Sequence, residues 1–120
     1  MEEMFEMEKR GDVTVLSTSA SLKASTAPML RSVMKKLCCE YRPKLVIDMQ
    51  RMSSMDSAGC GALVSSLRGV RTSDGDIRLA RPNERVLDLL KLARLDCIFE
   101  IYQDLDEAIK SFSGTPMKLS

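Results

Sequence analysis

The sequence predicts an α/β domain: a mixed β-sheet of about five strands carrying about four α-helices. Three observations carry that expectation. The N-terminus alternates apolar and polar residues about a turn dipeptide, a short apolar strand follows a proline in mid-chain, and helical apolar periodicity returns after each later strand. A chain of 120 residues suffices for one core. Residues 1–112 are therefore expected to fold as a single domain, with 113–120, which include Gly114 and Pro116, as a flexible C-terminal tail.

Phe5 and Met7, then Gly11-Asp12, then Val13 and Val15 read as two short strands joined by a tight turn. Thr26 is placed to cap a helix through its hydroxyl, with Pro28 in the first turn and Leu30, Val33, Met34, Leu37 and Cys38 at three- and four-residue spacing. Leu45-Val46-Ile47 suits a central parallel strand buried on both faces. Cys60, Leu63, Val64, Leu67 and Val70 recur at helical spacing behind Ser57, and Ser73-Asp74-Gly75 closes that helix. Ile77 to Ala80 is a further strand, followed by Asn83 as a cap for a helix bearing Val86, Leu89, Leu90 and Ala93. Ile98 to Tyr102 is β-rich, and Asp104 with Glu107 predicts a capping box ahead of Leu105, Ala108, Ile109 and Phe112.

Composition excludes several functions. Eighteen basic residues balance seventeen acidic ones and only five aromatics are present, so the electrostatic footprint of a nucleic-acid binder is missing. No run of about twenty apolar residues occurs, and Met1 to Arg10 lacks the basic start and apolar stretch of a signal peptide, so a cytoplasmic protein without a membrane partner is expected. Cys38, Cys39, Cys60 and Cys97 form no C-x-x-C pair, and no histidine exists to complete a metal site or a cysteine nucleophile. Cys60 and Cys97 read as small buried hydrophobes, while the adjacent Cys38 and Cys39 cannot both face the core. Without histidine, and with Met55 where an esterase elbow has glycine, serine hydrolysis is excluded. No glycine loop cradles a phosphate, and nothing in the spacing makes Asp48 and Asp56 converge as paired carboxylates. The chain reads as a non-enzyme needing no cofactor.

The most informative stretch is Met55-Asp56-Ser57-Ala58-Gly59-Cys60-Gly61, where a loop leaving a buried strand becomes the first turn of a helix. Two roles for Ser57 stand side by side. Serine is a favoured N-cap. A serine here can also carry a phosphate, because the unpaired N–H groups and positive dipole end of a helix stabilise about −1.5 to −2 added charges. Gly59 and Gly61 keep this turn narrow, open to close approach by another backbone or by nucleotide phosphates. Met49, Met52 and Met55 surround the motif, and core packing is the commoner use of such residues, an adaptable binding surface the rarer.

With Val46-Ile47-Asp48-Met49 before it, this stretch resembles the strand and D-S-[S/T]-G-L-G motif of STAS domains of the anti-sigma-factor-antagonist type. The likeness extends to Ala24-Ser25-Thr26-Ala27, to Arg81-Pro82 with Val86 and Leu87, to Leu92-Ala93-Arg94-Leu95-Asp96, and to Phe99-Glu100-Ile101-Tyr102 with Glu107-Ala108, covering about residues 10 to 112. The resemblance implies a bacterial partner-switching regulator of transcription. In such a switch Ser57 is phosphorylated by a serine kinase that is itself the anti-sigma factor, phosphorylation releases that kinase, and a protein phosphatase resets the system. It further implies a partner surface of Lys23, Thr26, Asp56, Ser57, Ala58, Gly59, Cys60 and Gly61.

The chain departs from the family pattern at several points. Ala20-Ser21-Leu22-Lys23 replaces Gly-x-Leu-Asp, Ala58 replaces the second hydroxyl residue, Cys60 the leucine, and Ser54 an aromatic. Lys23 either attracts a modified Ser57 or is simply a solvated lysine. Its presence motivates an alternative, a non-switching STAS scaffold or subunit of a signalling or lipid-transport assembly. A third reading, a nucleotide or small-ligand module at the same helix start, has least support.

Overall fold

A computed structural model describes residues 5–19 and 21–113. Strand β1 (Phe5–Arg10) turns through Gly11, whose φ of +66° suits a residue without Cβ, into the antiparallel strand β2 (Val13–Thr18). β3 (Lys44–Asp48), β4 (Asp76–Ala80) and β5 (Glu100–Tyr102) then add in parallel, giving a five-stranded mixed sheet in the order β1-β2-β3-β4-β5. Among the described residues the four α-helices are α1 (Ala27–Leu37), α2 (Ser57–Arg71), α3 (Glu84–Leu92) and α4 (Leu105–Ser113).

Each parallel step moves one place in the same direction, so right-handed crossovers put α1, α2 and α3 on one face. α4 follows the last strand, has no crossover to make, and packs on the opposite face. Strand alternation serves both layers. Leu16, Leu45, Ile47, Ile77 and Leu79 join the helix-rich core, while Val13, Val15, Val46 and Ala80 meet Ala108 with Leu105, Ile109 and Phe112 around it. Leu45, Val46, Ile47 and Leu79 are at most 2% exposed, as a doubly covered sheet requires.

Several local expectations are corrected. Thr26 does not cap α1: its hydroxyl donates to the Ser21 carbonyl (2.8 Å) and accepts the Lys23 N–H (2.9 Å), closing the preceding loop on itself. The Asp104 carboxylate takes the Asp106 amide (3.2 Å) rather than that of Glu107. Ser73-Asp74-Gly75 does close α2 as expected, with Asp74 left-handed (φ +62°) and Gly75 needed because a Cβ there would strike the Pro43 carbonyl. The β-rich segment is cut short by a 3₁₀ turn at Leu95–Cys97, leaving Ile98 exposed. Cys97 is exposed, not buried, and Cys60 is half-buried. Residues 114–120 of the expected tail lie outside the described residues, as do Met1 to Met4 and Ala20; Ser113 is the last residue of α4.

Candidate functional site

Parallel strands raise their C-terminal ends to one edge of the sheet, and the loops that leave β2 and β3 meet there. Leu22 bridges Met55, with its N–H donating to the Ser54 carbonyl and its own carbonyl accepting the Asp56 N–H, both at 3.1 Å. The Ser21 hydroxyl sits 2.6 Å from that of Ser53 and accepts the Ser54 amide at 3.1 Å. Below this stitching Met49, Met52 and Met55 are buried, which settles them as core residues.

Asp56, in extended conformation, is the N-cap of α2. One carboxylate oxygen accepts the Gly59 N–H (2.9 Å) and the other the Ala24 N–H (3.1 Å), so a single side chain caps the helix and pins the neighbouring loop. The Gly59 amide foremost, and then the Ala24 amide, hold this carboxyl below its ordinary range, with smaller help from the Ala58 amide and the Lys23 cation. Ser57 is therefore not the cap. It is the first residue of α2, exposed, and its hydroxyl makes no hydrogen bond among the described residues. The capping role weighed for it is taken by its neighbour, leaving the oxygen at the positive helix end.

The other expected site residues divide. Lys23 is exposed and close enough to Asp56 to act on it, and Gly61 is exposed with open space where a Cβ would stand. Ala58 and Cys60 are half-buried, and burial foremost, with Asp56 second, pushes the Cys60 thiol up. Gly59 is buried, and the close approach it permits is internal: a Cβ there would collide with the Leu22 carbonyl. Thr26 is half-buried and spends its hydroxyl within its own loop.

Sequence reasoning missed two features of this edge. One is a shallow groove of about 300 Å³ between the start of α2 and the end of α3, lined by Met55, Ser57, Cys60, Leu89, Leu92 and Ala93. Leu92 is 79% exposed and Ala93 is exposed as well, although Ala93 was expected on the buried stripe. The available signal was Leu92 itself, an apolar residue off the Val86, Leu89, Leu90 stripe. The other is Arg81, left-handed at φ +57°, whose guanidinium holds the buried Asp48 carboxylate through two bonds (2.7 and 3.1 Å). Its N–H donates to the Tyr102 carbonyl (2.8 Å), so Arg81 ties the ends of β3, β4 and β5 together.

A five-stranded sheet of this order, with the serine of an Asp-Ser pair opening the helix after β3, defines a small class of regulatory domain. The STAS domain profile matches residues 4–108, and the chain belongs to that family. It is 29% identical over 104 residues to a Thermotoga neapolitana protein named, provisionally, an anti-sigma factor antagonist, covering 86% of this chain and 92% of the relative. A crystal structure of a Thermotoga maritima protein of the same provisional name superposes with a TM-score of 0.82 at 28% identity, covering 90% of this chain and 93% of that one. The fold alone is shared, at 18% identity and a TM-score of 0.69, with the phosphorylated form of the Bacillus cell-fate determinant SpoIIAA, over 90% of this chain and 98% of that one. Among the described residues no helix is long and apolar enough to cross a membrane.

Proposed function

We propose that this STAS domain is an anti-sigma factor antagonist that works by partner switching in the cytoplasm. Unmodified, it binds an anti-sigma serine kinase over the start of α2. Phosphorylation of Ser57 releases that kinase, and a protein phosphatase restores the binding form. The observation that carries this reading is the Ser57 hydroxyl: exposed, unbonded among the described residues, and standing at the N-terminus of a helix already capped by Asp56. A phosphate there meets the positive end of α2 within its own domain, so the fold tolerates it. A docked protein, in contrast, faces a dianion beside the Asp56 carboxylate, and like-charge desolvation opposes its binding.

The groove beside Ser57 extends the surface. Leu92 and Ala93 offer apolar area of the kind that anchors a partner, in the same groove that Ser57 lines. Lys23, Asp56 and Ser57 form the polar side of that seat, Ala58, Cys60 and Gly61 complete it, and Gly59 and Thr26 hold its shape from within.

Calorimetry with the cognate kinase tests the proposal. Ser57→Ala is expected to bind like the unmodified protein, Ser57→Asp to lose binding with its melting temperature retained, and Leu92→Asp to lose binding without loss of fold, because the side chain is solvent-exposed. Equal affinity of the Ser57→Ala and Ser57→Asp proteins would remove the switch and favour the scaffold reading that Lys23 motivates.

A further inference from the structure

We infer that the outer face of α1 and α2 is a second docking surface, distinct from the Ser57 edge, and that its occupant is an acidic amphipathic helix of a partner protein. α1 and α2 contain no aspartate or glutamate, yet carry Arg31, Lys35, Lys36, Arg68 and Arg71, all exposed. Arg71 bonds Asp76 at 3.3 Å, while among the described residues no carboxylate lies within ion-pair distance of the other four. α3 and α4, in contrast, mix Glu84, Asp88, Asp106 and Glu107 with their cations. In a chain of formal net charge +1, the one-sided field of α1 and α2 is a matter of placement rather than composition.

Between these two helices runs a groove of about 540 Å³. Met34, Cys38 and Gly69 give it an apolar floor, Pro28 closes one end, and Arg31 and Lys35 stand among its lining. Both serines on its α2 side turn their hydroxyls back onto their own helix, the buried Ser66 donating to the Ala62 carbonyl at 2.7 Å and the exposed Ser65 to the same carbonyl at 3.4 Å. Gly69 keeps the floor low, because a Cβ there would press on the Cys38 sulfur at 3.3 Å.

The shape and charge select one occupant. From Pro28 to Cys38 the groove follows α1 for about 15 Å, roughly three helical turns, at a rise of about 1.5 Å per residue. That length takes apolar anchors at i, i+3 or i+4, and i+7 of one helix laid into it, and the cations of the rim then face that helix's polar side, which must be acidic. A lipid surface fits less well. Membrane-lying helices push protruding apolar side chains into the bilayer, whereas here the apolar area is recessed and Met29 is the one large exposed hydrophobic residue on α1 or α2 among the described residues.

The test uses the whole chain and a synthetic, end-capped peptide of about fourteen residues with leucines at i, i+4, i+7 and i+11 and glutamates on the opposite face, sized to about four turns. Amide shift mapping by NMR is expected to place the peptide on residues 28–38 and 65–69. The double variant Arg31→Glu/Lys35→Glu is expected to bind it at least about tenfold more weakly, and Arg85→Glu/Lys91→Glu on α3 to stay within about twofold. Ser57→Asp is expected to bind the peptide like the unmodified protein, which separates this surface from the switch. The inference is overturned if the α1 charge reversal leaves affinity unchanged, if the shifts map to α3 or α4, if a lysine-for-glutamate peptide binds equally, or if no peptide binds at about 1 mM while anionic phosphatidylserine vesicles do.

Discussion

Replacing Gly59 by alanine places a Cβ against the Leu22 carbonyl, the acceptor that joins the loop after β2 to the cap of α2. The carbonyl is backbone and cannot rotate away, so the loop must shift. Two hydrogen bonds of the Leu22–Met55 bridge are strained, each contributing about 0.5–1.5 kcal/mol, and overpacking adds about 1–3 kcal/mol. Alanine's helix preference returns at most about 1 kcal/mol. The net expectation is a loss of about 2 kcal/mol or more. Gly61, two residues on in the same helix, is the internal control. Nothing lies within 4 Å of a Cβ there, so Gly61→Ala gains up to about 1 kcal/mol from propensity alone. The two proteins should differ by about 3 kcal/mol in urea unfolding, or roughly 10 °C in melting temperature for a domain of this size. Amide shifts at Ala24 should move in Gly59→Ala, because its N–H is held by Asp56. A Gly59→Ala protein as stable as Gly61→Ala would refute the packing argument.

Asp56 predicts an acid response. Its folded carboxyl lies below the ordinary value, so its contribution is present above the unfolded value near about 3.9 and is lost as pH falls through the lower folded value. Asp56→Asn should therefore show a shallower fall of the urea midpoint between neutral pH and about pH 3 than the unmodified protein. Arg81→Ala leaves the Asp48 carboxylate, 8% exposed, without its partner. Because Arg81 itself is 32% exposed and water screens part of the pair, a loss of about 2–3 kcal/mol is expected rather than the full buried-pair figure. Arg81→Lys should recover part of it, and chemical denaturation of the three proteins decides.

The secondary structure was legible wherever one physical signal dominated. Leu45-Val46-Ile47 reads as a central strand because burial on both faces demands an unbroken apolar run, and α1 and α4 follow from their three- and four-residue spacing. Local reading failed where two residues compete for one role. Asp56 and Ser57 are both good caps, and only the backbone shows that the aspartate is the extended residue and the serine the first helical one. Thr26 has the same chemistry as a cap, but the loop's own Ser21 carbonyl and Lys23 amide take its hydroxyl. Ala93 belongs to the α3 stripe by spacing, yet the helix ends at Leu92 and the residue after it turns outward.

By itself the sequence determined the order of elements, the apolar faces and the position of the serine at a loop-to-helix junction, because each depends on neighbours within a few residues. The tertiary structure decided which loops meet. Ala24 and Asp56 are 32 residues apart, and they are joined because right-handed crossovers between adjacent parallel strands bring the ends of β2 and β3 to one edge. The exposed Leu92 groove and the acid-free α1/α2 face arise in the same way, from helices laid side by side whose separation along the chain carries no record of their contact.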